Sequence, residues 1–259
     1  GGAHAVAALA YGLDADPAAG LHEPLRPCDA VVGPGNRWVT AAKQLVSGTV
    51  AIDMLAGPSE VLVIADASAD PAVIAADMLA QCEHDADASA ILVALDPALP
   101  DRVEPELAAQ LEALPEPNRS TARAALANAF AVIAASGDEA VAIADRLAPE
   151  HLQVETADAE ALARRLSHYG ALFVGAGAAE VLGDYGLGPN HTLPTGGTAR
   201  STAGLSVFTF LRARTFIAID AAGSGAPPAR APRDVCRRAA AFARLEGLEA
   251  HARAAERRL

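Results

Sequence analysis

Five short segments carry the side chains best suited to chemistry. In Gln81-Cys82-Glu83-His84, Gln81 and His84 stand three apart on one helix face, so an amide oxygen and an imidazole can share a metal such as zinc. An isolated pair of this kind is more often a partly exposed polar helix end. Cys82 has Glu83 beside it and no basic group to lower its pKa, which makes it a core or structural residue rather than a nucleophile. Glu150-His151 sets two titratable groups side by side, suited to two separate proton transfers, though such a pair after Pro149 also suits plain solvation. Asp184, in Gly183-Asp184-Tyr185-Gly186, offers a carboxylate ligand. His191, in Pro189-Asn190-His191, offers a supporting partner, and both also suit an Asx-turn. Gly33-Pro34-Gly35-Asn36 aims backbone N–H groups at whatever lies above it, as a dinucleotide phosphate or ribose requires, but it also reads as an ordinary turn and is not the GxGxxG fingerprint. Glu246 to His251 reads as a solvated helix face interrupted by Gly247, where a break or close approach is expected.

The elements around these segments alternate. Ala30–Val32 is a short strand, Gly33–Asn36 the turn, and Arg37–Val46 a helix. Val50–Ile52 and Val61–Ala65 are buried strands; Asp70 and Pro71 open a helix to Gln81. Ala90–Leu95, Phe130–Ala134 and Ala171–Val174 read as strands, and Val103–Leu114, Thr121–Ala127, Asp138–Leu147 and Ala159–His168 as helices. Gly183–Gly197 is a long loop of the kind that often carries function, Gly223–Pro232 a linker, and Asp234–Leu259 an Arg-rich helical region. The alternation indicates an α/β fold with mainly parallel sheets. Boundaries are expected near 60 and 205.

Composition narrows the class. The 259 residues are 52% hydrophobic, enough for one large core or two smaller ones, yet no apolar run is long enough to cross a membrane. A net charge of −12 argues against nucleic acid or an anionic membrane as partner. Cys28, Cys82 and Cys236 form no CxxC, which suits a reducing, cytoplasmic setting. Lys43 is the only lysine, and the sequence assigns it no task.

Taken in order, GGAHAVAALAYG, GPGNRWVTAAKQ, AIDMLAGPSEVLVIAD, QCEHDADASAILV, APEHLQV, GDYGLGPNHTLPTGGTAR and EGLEAH resemble the histidinol dehydrogenase family almost end to end. The resemblance implies two incomplete Rossmann-like domains plus a small helical C-terminal tail: 1–60, the remainder of the NAD-binding domain; 61–205, the second domain with the zinc and catalytic residues; and 206–259, a tail reaching the partner subunit. It implies two successive NAD-linked oxidations, L-histidinol to L-histidinal to L-histidine, with Zn²⁺ and NAD as cofactors in a homodimer with shared sites. Gln81, His84, Asp184 and His251 resemble the zinc ligands, His251 coming from the partner subunit. His151 resembles the base that takes the hydroxyl proton, and Glu150 the residue that activates water. Ser59 and Glu246 resemble substrate contacts, as do the zinc ligands and His151, and Asn36 resembles an NAD contact.

Two departures follow. His4 stands where the family usually has a Gln that contacts NAD; it keeps a hydrogen-bond donor but adds a charge that varies near neutral pH. A large N-terminal portion of the family chain has no counterpart, and Gly1-Gly2-Ala3 starts as if mid-domain, so a truncated chain is expected. Two alternatives accompany this reading: a paralogue acting on another small alcohol such as a sulfonated diol, and a non-catalytic fragment.

Overall fold

The computed structural model describes residues 1–187, 190–219 and 231–259, and the chain divides into two compact units, Gly1–Leu211 and Arg212–Leu259. The first unit runs α1 (Gly2–Tyr11), β1 (Ala30–Val31), α2 (Arg37–Val46), β2 (Ala51–Ile52), β3 (Glu60–Ala65), α3 (Pro71–Cys82), β4 (Ser89–Ala94) and α4 (Leu99–Ala113). It continues through α5 (Asn118–Ala125), β5 (Phe130–Ile133), α6 (Gly137–Leu147), β6 (His151–Glu155), α7 (Ala159–Ala163), β7 (Ala171–Val174) and α8 (Glu180–Asp184). The second unit holds α9 (Arg233–Leu245) and α10 (Glu249–Glu256).

Strands β1 and β2 pair in parallel, and the other five form a second, all-parallel sheet in the order β5-β4-β3-β6-β7. The chain winds outward from β3 to β5, then crosses back to lay β6 on the other side of β3. Strands β3 and β4 are buried on both faces because helices cover both, which is why their sequences are continuous apolar runs. Val61, Val63, Ala90 and Leu92 pack with α3 through Ile74 and Met78. Leu62, Ile64, Leu152 and Val154 pack with α6 and α7 through Ala140, Ala144 and Leu162.

Local signals set the elements that carry the chemistry. Asp70 caps α3 by accepting from Ala72 N at 2.9 Å, with Pro71 at the first helical position. Ser136 caps α6, and Ala148 ends that helix at φ 50 just before Pro149, which releases the chain into β6. Strand β6 was not expected from the sequence. Its HLQVE pattern alternates as a half-exposed strand would, but every residue is buried, and the polar side meets α3.

Other differences are local. The helix expected to reach His168 ends at Ala163. Asp184 closes the short helix α8 rather than lying in open loop. The C-terminal region is two helices, broken where Gly247 adopts φ 75, a left-handed conformation favourable only to glycine. The expected linker at 223–232 lies largely outside the described residues.

Lys43 acquires a structural task. Its ammonium is buried, pairs with Asp53, and donates to the Gly33 carbonyl at 3.0 Å, while Asp53 accepts from Gly33 N at 2.8 Å. The lone lysine therefore fastens the Gly33–Asn36 turn to the chain after β2. Gly35 is required there for a different reason: a Cβ would sit 2.5 Å from the Val39 side chain.

Candidate active site

Strands β3 and β6 lie side by side, so their first residues meet at the amino end of the sheet. Glu60 N donates to Glu150 Oε2 at 3.0 Å, and Glu150 N donates to Glu60 Oε1 at 3.3 Å. Gly196 N adds a third bond to Glu60 at 2.9 Å, and the Ser59 hydroxyl also bonds Glu150. Each acid thus holds the other's backbone, and the loop at Gly196 closes over them.

His151 follows at once on β6. Its Nδ1 lies 3.1 Å from the Glu60 carbonyl and 3.1 Å from the Gln81 amide. A carbonyl only accepts, so Nδ1 carries the imidazole proton and Nε2 the lone pair. That Nε2 is buried with no hydrogen-bond partner among the described residues. Phe173 flanks the ring, with centroids 6.1 Å apart. Gly183 in turn lets α8 approach Phe173: a Cβ there would lie 2.7 Å from the aromatic ring.

The end of α3, the turn after it that bears His84, and helix α8 supply the remaining wall. Donor atoms of His84, Glu180 and Asp184 all lie within 4.8 Å of one another. Gln81 is fully buried, and the end of its amide that lies 3.1 Å from His151 Nδ1 also lies 3.1 and 3.0 Å from the two Glu180 carboxyl oxygens.

Burial dominates the electrostatics. Desolvation, reinforced by the Glu60 and Asp184 charges, pushes Glu150 up to about 8. Desolvation and the charges of Asp184 and Glu150 push Glu180 up to about 8. Glu60 is also raised, by burial against its backbone hydrogen bonds. His151 is lowered to about 4 by desolvation, so its imidazole is neutral at neutral pH. Cys82 is raised to about 11 by desolvation and by the Glu180 charge, which leaves it an inert thiol. Buried acids around two histidines, His84 and His151, and one amide form a site suited to a dication, with the mixed N/O donors that zinc accepts.

The structure brings together Ser59, Gln81, His84, Glu150, His151 and Asp184, from four segments of the sequence. Asn36 caps α2, its oxygen accepting from Trp38 N and Val39 N at 3.1 and 3.3 Å, so only its amide nitrogen is left for a ligand. His4 is exposed on α1. His191 is exposed and joins none of the contacts above. Glu246 and His251 lie at the end of α9 and on α10, in the second unit. Glu60 and Glu180 were missed. Each had a signal: Glu60 adjoins Ser59, and Glu180 precedes Asp184 by four residues, one helical turn.

Comparison with known proteins agrees along the whole chain. The family model described as histidinol dehydrogenase matches residues 1–259. The chain is 50% identical over 260 residues to histidinol dehydrogenase of Geobacillus kaustophilus, covering 100% of this chain and 57% of that protein. It is 44% identical over 258 residues to the Thermus thermophilus protein of the same name, covering 100% and 58%. The crystal structure of histidinol dehydrogenase from Elizabethkingia anophelis superposes with a TM-score of 0.85 at 35% identity, covering 100% of this chain and 55% of that one. The chain spans about half the length of the curated relatives it matches.

Proposed function

The chain belongs to the histidinol dehydrogenase family, and on that premise we propose that it carries the zinc and proton-transfer machinery of an NAD-dependent oxidation of L-histidinol, through L-histidinal, to L-histidine. The observation that carries this reading is the convergence, at one sheet edge, of a donor cluster with a neutral histidine whose Nε2 is unpartnered.

Gln81, His84 and Asp184 hold the zinc ion, and His251 of the partner subunit completes the set. When bound, zinc supplies a fixed positive centre that grips the imidazole and amine of the substrate. The positions of Ser59 and of the partner subunit's Glu246 in the family motifs support substrate contacts there, the latter at the amine.

NAD, when bound, would supply the hydride acceptor, and His151 would take the hydroxyl proton at Nε2. Its Nδ1–H stays on the Glu60 carbonyl, which fixes the ring and its tautomer. Glu150 then takes a proton from the water that attacks the aldehyde. It must be ionised to do so. A positive charge held beside Asp184 would offset the Asp184 contribution to raising Glu150, a smaller cause than burial. Glu60, bonded to the Glu150 backbone, keeps the two groups in register.

The turn at Gly33–Asn36 and His4 serve NAD, within a Rossmann-like portion at 1–60; residues 61–205 form the second such portion, and 206–259 reach the partner subunit. Val207, Phe208, Phe210, Leu211, Phe216 and Ile217 are exposed, an apolar stretch that supports coverage by a second subunit. Free Cys28, Cys82 and Cys236 support work in the cytoplasm. Among the described residues no helix is long and apolar enough to cross a membrane.

Steady-state NADH formation from L-histidinol by the zinc-loaded protein tests the reading, and absence of turnover sinks it. Mixing His151→Ala chains with His251→Ala chains tests the shared site: mixed dimers regain one intact site, and no recovery of activity refutes sharing.

A further inference from the structure

We propose that the Thr195–Gly197 turn is a positioning element for the two proton-transfer groups, acting through Glu60. This rests on the roles given to Glu150 and His151 above. Glu60 touches both. Its backbone N–H donates to Glu150 Oε2 at 3.0 Å, its carbonyl accepts from His151 Nδ1 at 3.1 Å, and its Oε1 accepts from Glu150 N at 3.3 Å. The same Oε1 accepts from Gly196 N at 2.9 Å, and the Gly197 backbone adds a further bond. Among the described residues every donor to this carboxylate is a main-chain N–H, so the direction of each bond is unambiguous.

Thr195 makes a second attachment beside the first. Residues 54–57 lie between β2 and β3 in no helix or strand, so their backbone groups must find partners elsewhere. Gly57 N donates to Thr195 Oγ1 at 2.5 Å. Thr195 is 4% exposed, and its hydroxyl has no part in the chemistry described above. Adjacent residues of the turn therefore grip Gly57 and Glu60, three residues apart, at the entry to β3.

The surroundings leave room for this arrangement. A Cβ on Gly170 would lie 2.5 Å from the Glu150 carbonyl and 3.2 Å from both Leu193 Cβ and Pro194 Cδ, so glycine there lets the approach to the turn pack against Glu150. Gly196 and Gly197 adopt φ 61 and 75, a left-handed pair that other residues rarely form. The ladder of β3 with β6 already sets Val61 beside His151. What the ladder leaves open is the Glu60 side chain, and with it the Glu150 N–H at the entry to β6. The turn fixes the first and thereby the second.

Thr195→Val removes the acceptor at nearly constant shape, and Thr195→Ser keeps it. Thr195→Val is expected to lower kcat about 10-fold for oxidation of both L-histidinol and L-histidinal, because small displacements of a reacting group are costly. Thr195→Ser is expected to stay near wild type. Zinc affinity, measured by competition with a chromophoric chelator, is expected to hold in both, since none of the turn's hydrogen bonds goes to Gln81, His84 or Asp184. Glu60→Leu is expected to lose activity, and Glu60→Gln to keep most of it, because an amide oxygen still accepts from Glu150 N and Gly196 N. In the zinc-free protein, nitrogen NMR of His151 is expected to show Nδ1 protonated in wild type and a shift toward the Nε2-protonated ring in Thr195→Val. Wild-type kcat in Thr195→Val overturns the proposal. So does loss of zinc affinity alongside activity, which marks general loosening. Glu60→Gln as impaired as Glu60→Leu overturns it too, making Glu60 a proton carrier itself; this pair decides if Thr195→Val fails to fold. Wild-type protein without turnover sinks the functional reading instead, and the His151 spectra still test the turn.

Discussion

Strand β6 carries polar side chains at both ends of the face it turns to α3, and the two ends differ in kind. At the amino end stands His151, with Glu150 immediately before the strand, and the two meet Gln81, Glu60 and Glu180. At the carboxyl end stand Gln153 and Glu155, meeting Asp77, one turn of α3 before Gln81. Both clusters are buried and acidic. Only the first mixes imidazole, amide and carboxylate and opens through an exposed His84. The second is two carboxyls bridged by one amide nitrogen, with Glu155 as the protonated partner of Asp77. Burial and negative charge therefore do not make a site. Diverse donors with a way in do.

The location is instructive as well. Open α/β sheets usually bind ligands at the carboxyl ends of their strands, where the winding reverses. Here the reversal falls between β3 and β6, and the carboxyl end bears a shallow cleft of about 270 Å³ beside Asp66, Thr156 and Arg165. The site residues gather at the opposite edge.

If the two ends are as different as described, substitutions at each will separate catalysis from stability. The largest effect is expected for His151→Ala, a loss of about 10²–10⁴ in kcat for histidinol oxidation with the melting transition retained. A variant with near-normal kcat would erase the distinction. Glu155→Gln acts at the other end and on stability. The folded-state pKa of Glu155, raised first by desolvation and then by the Asp77 charge to about 7, lies above its ordinary 4.5. Its contribution is therefore full below pH 4.5 and lost as pH rises through 7. The Gln variant should match wild type at pH 4 and gain up to about 3 kcal/mol at pH 8, read by urea unfolding at both pH values; an equal gain at both would refute the proton-sharing pair.

Gly183→Ala sharpens the comparison further. A Cβ at 2.7 Å from Phe173 should cost about 1–3 kcal/mol and, through the Phe173–His151 contact, lower kcat. The smallest effect is expected for Gly177→Ala, whose Cβ meets nothing within 4 Å, with stability within about 0.5 kcal/mol of wild type. Thermal unfolding of the two variants side by side checks both values.

Much of this was legible beforehand. Helix α2, strand β7 and the start of α3 follow from apolar spacing and caps, and their observed bounds match that reading closely. Gln81, His84, Glu150, His151 and Asp184 stood out by residue type. Strand β6 did not, because its apolar alternation is that of a strand facing solvent while its polar side is buried against α3, a fact that depends on a partner 70 residues away.

The family, the parallel α/β alternation and the chemical types at the site reside in local spacing and in motifs, and so could be read from the residues alone. That Glu60 clamps Glu150, that Glu180 faces Gln81, and that Lys43 fastens the Gly33 turn emerged from the packing of the folded chain. The reason is physical. Desolvation and hydrogen-bond geometry are set by what packs against a residue, and those neighbours come from distant parts of the chain.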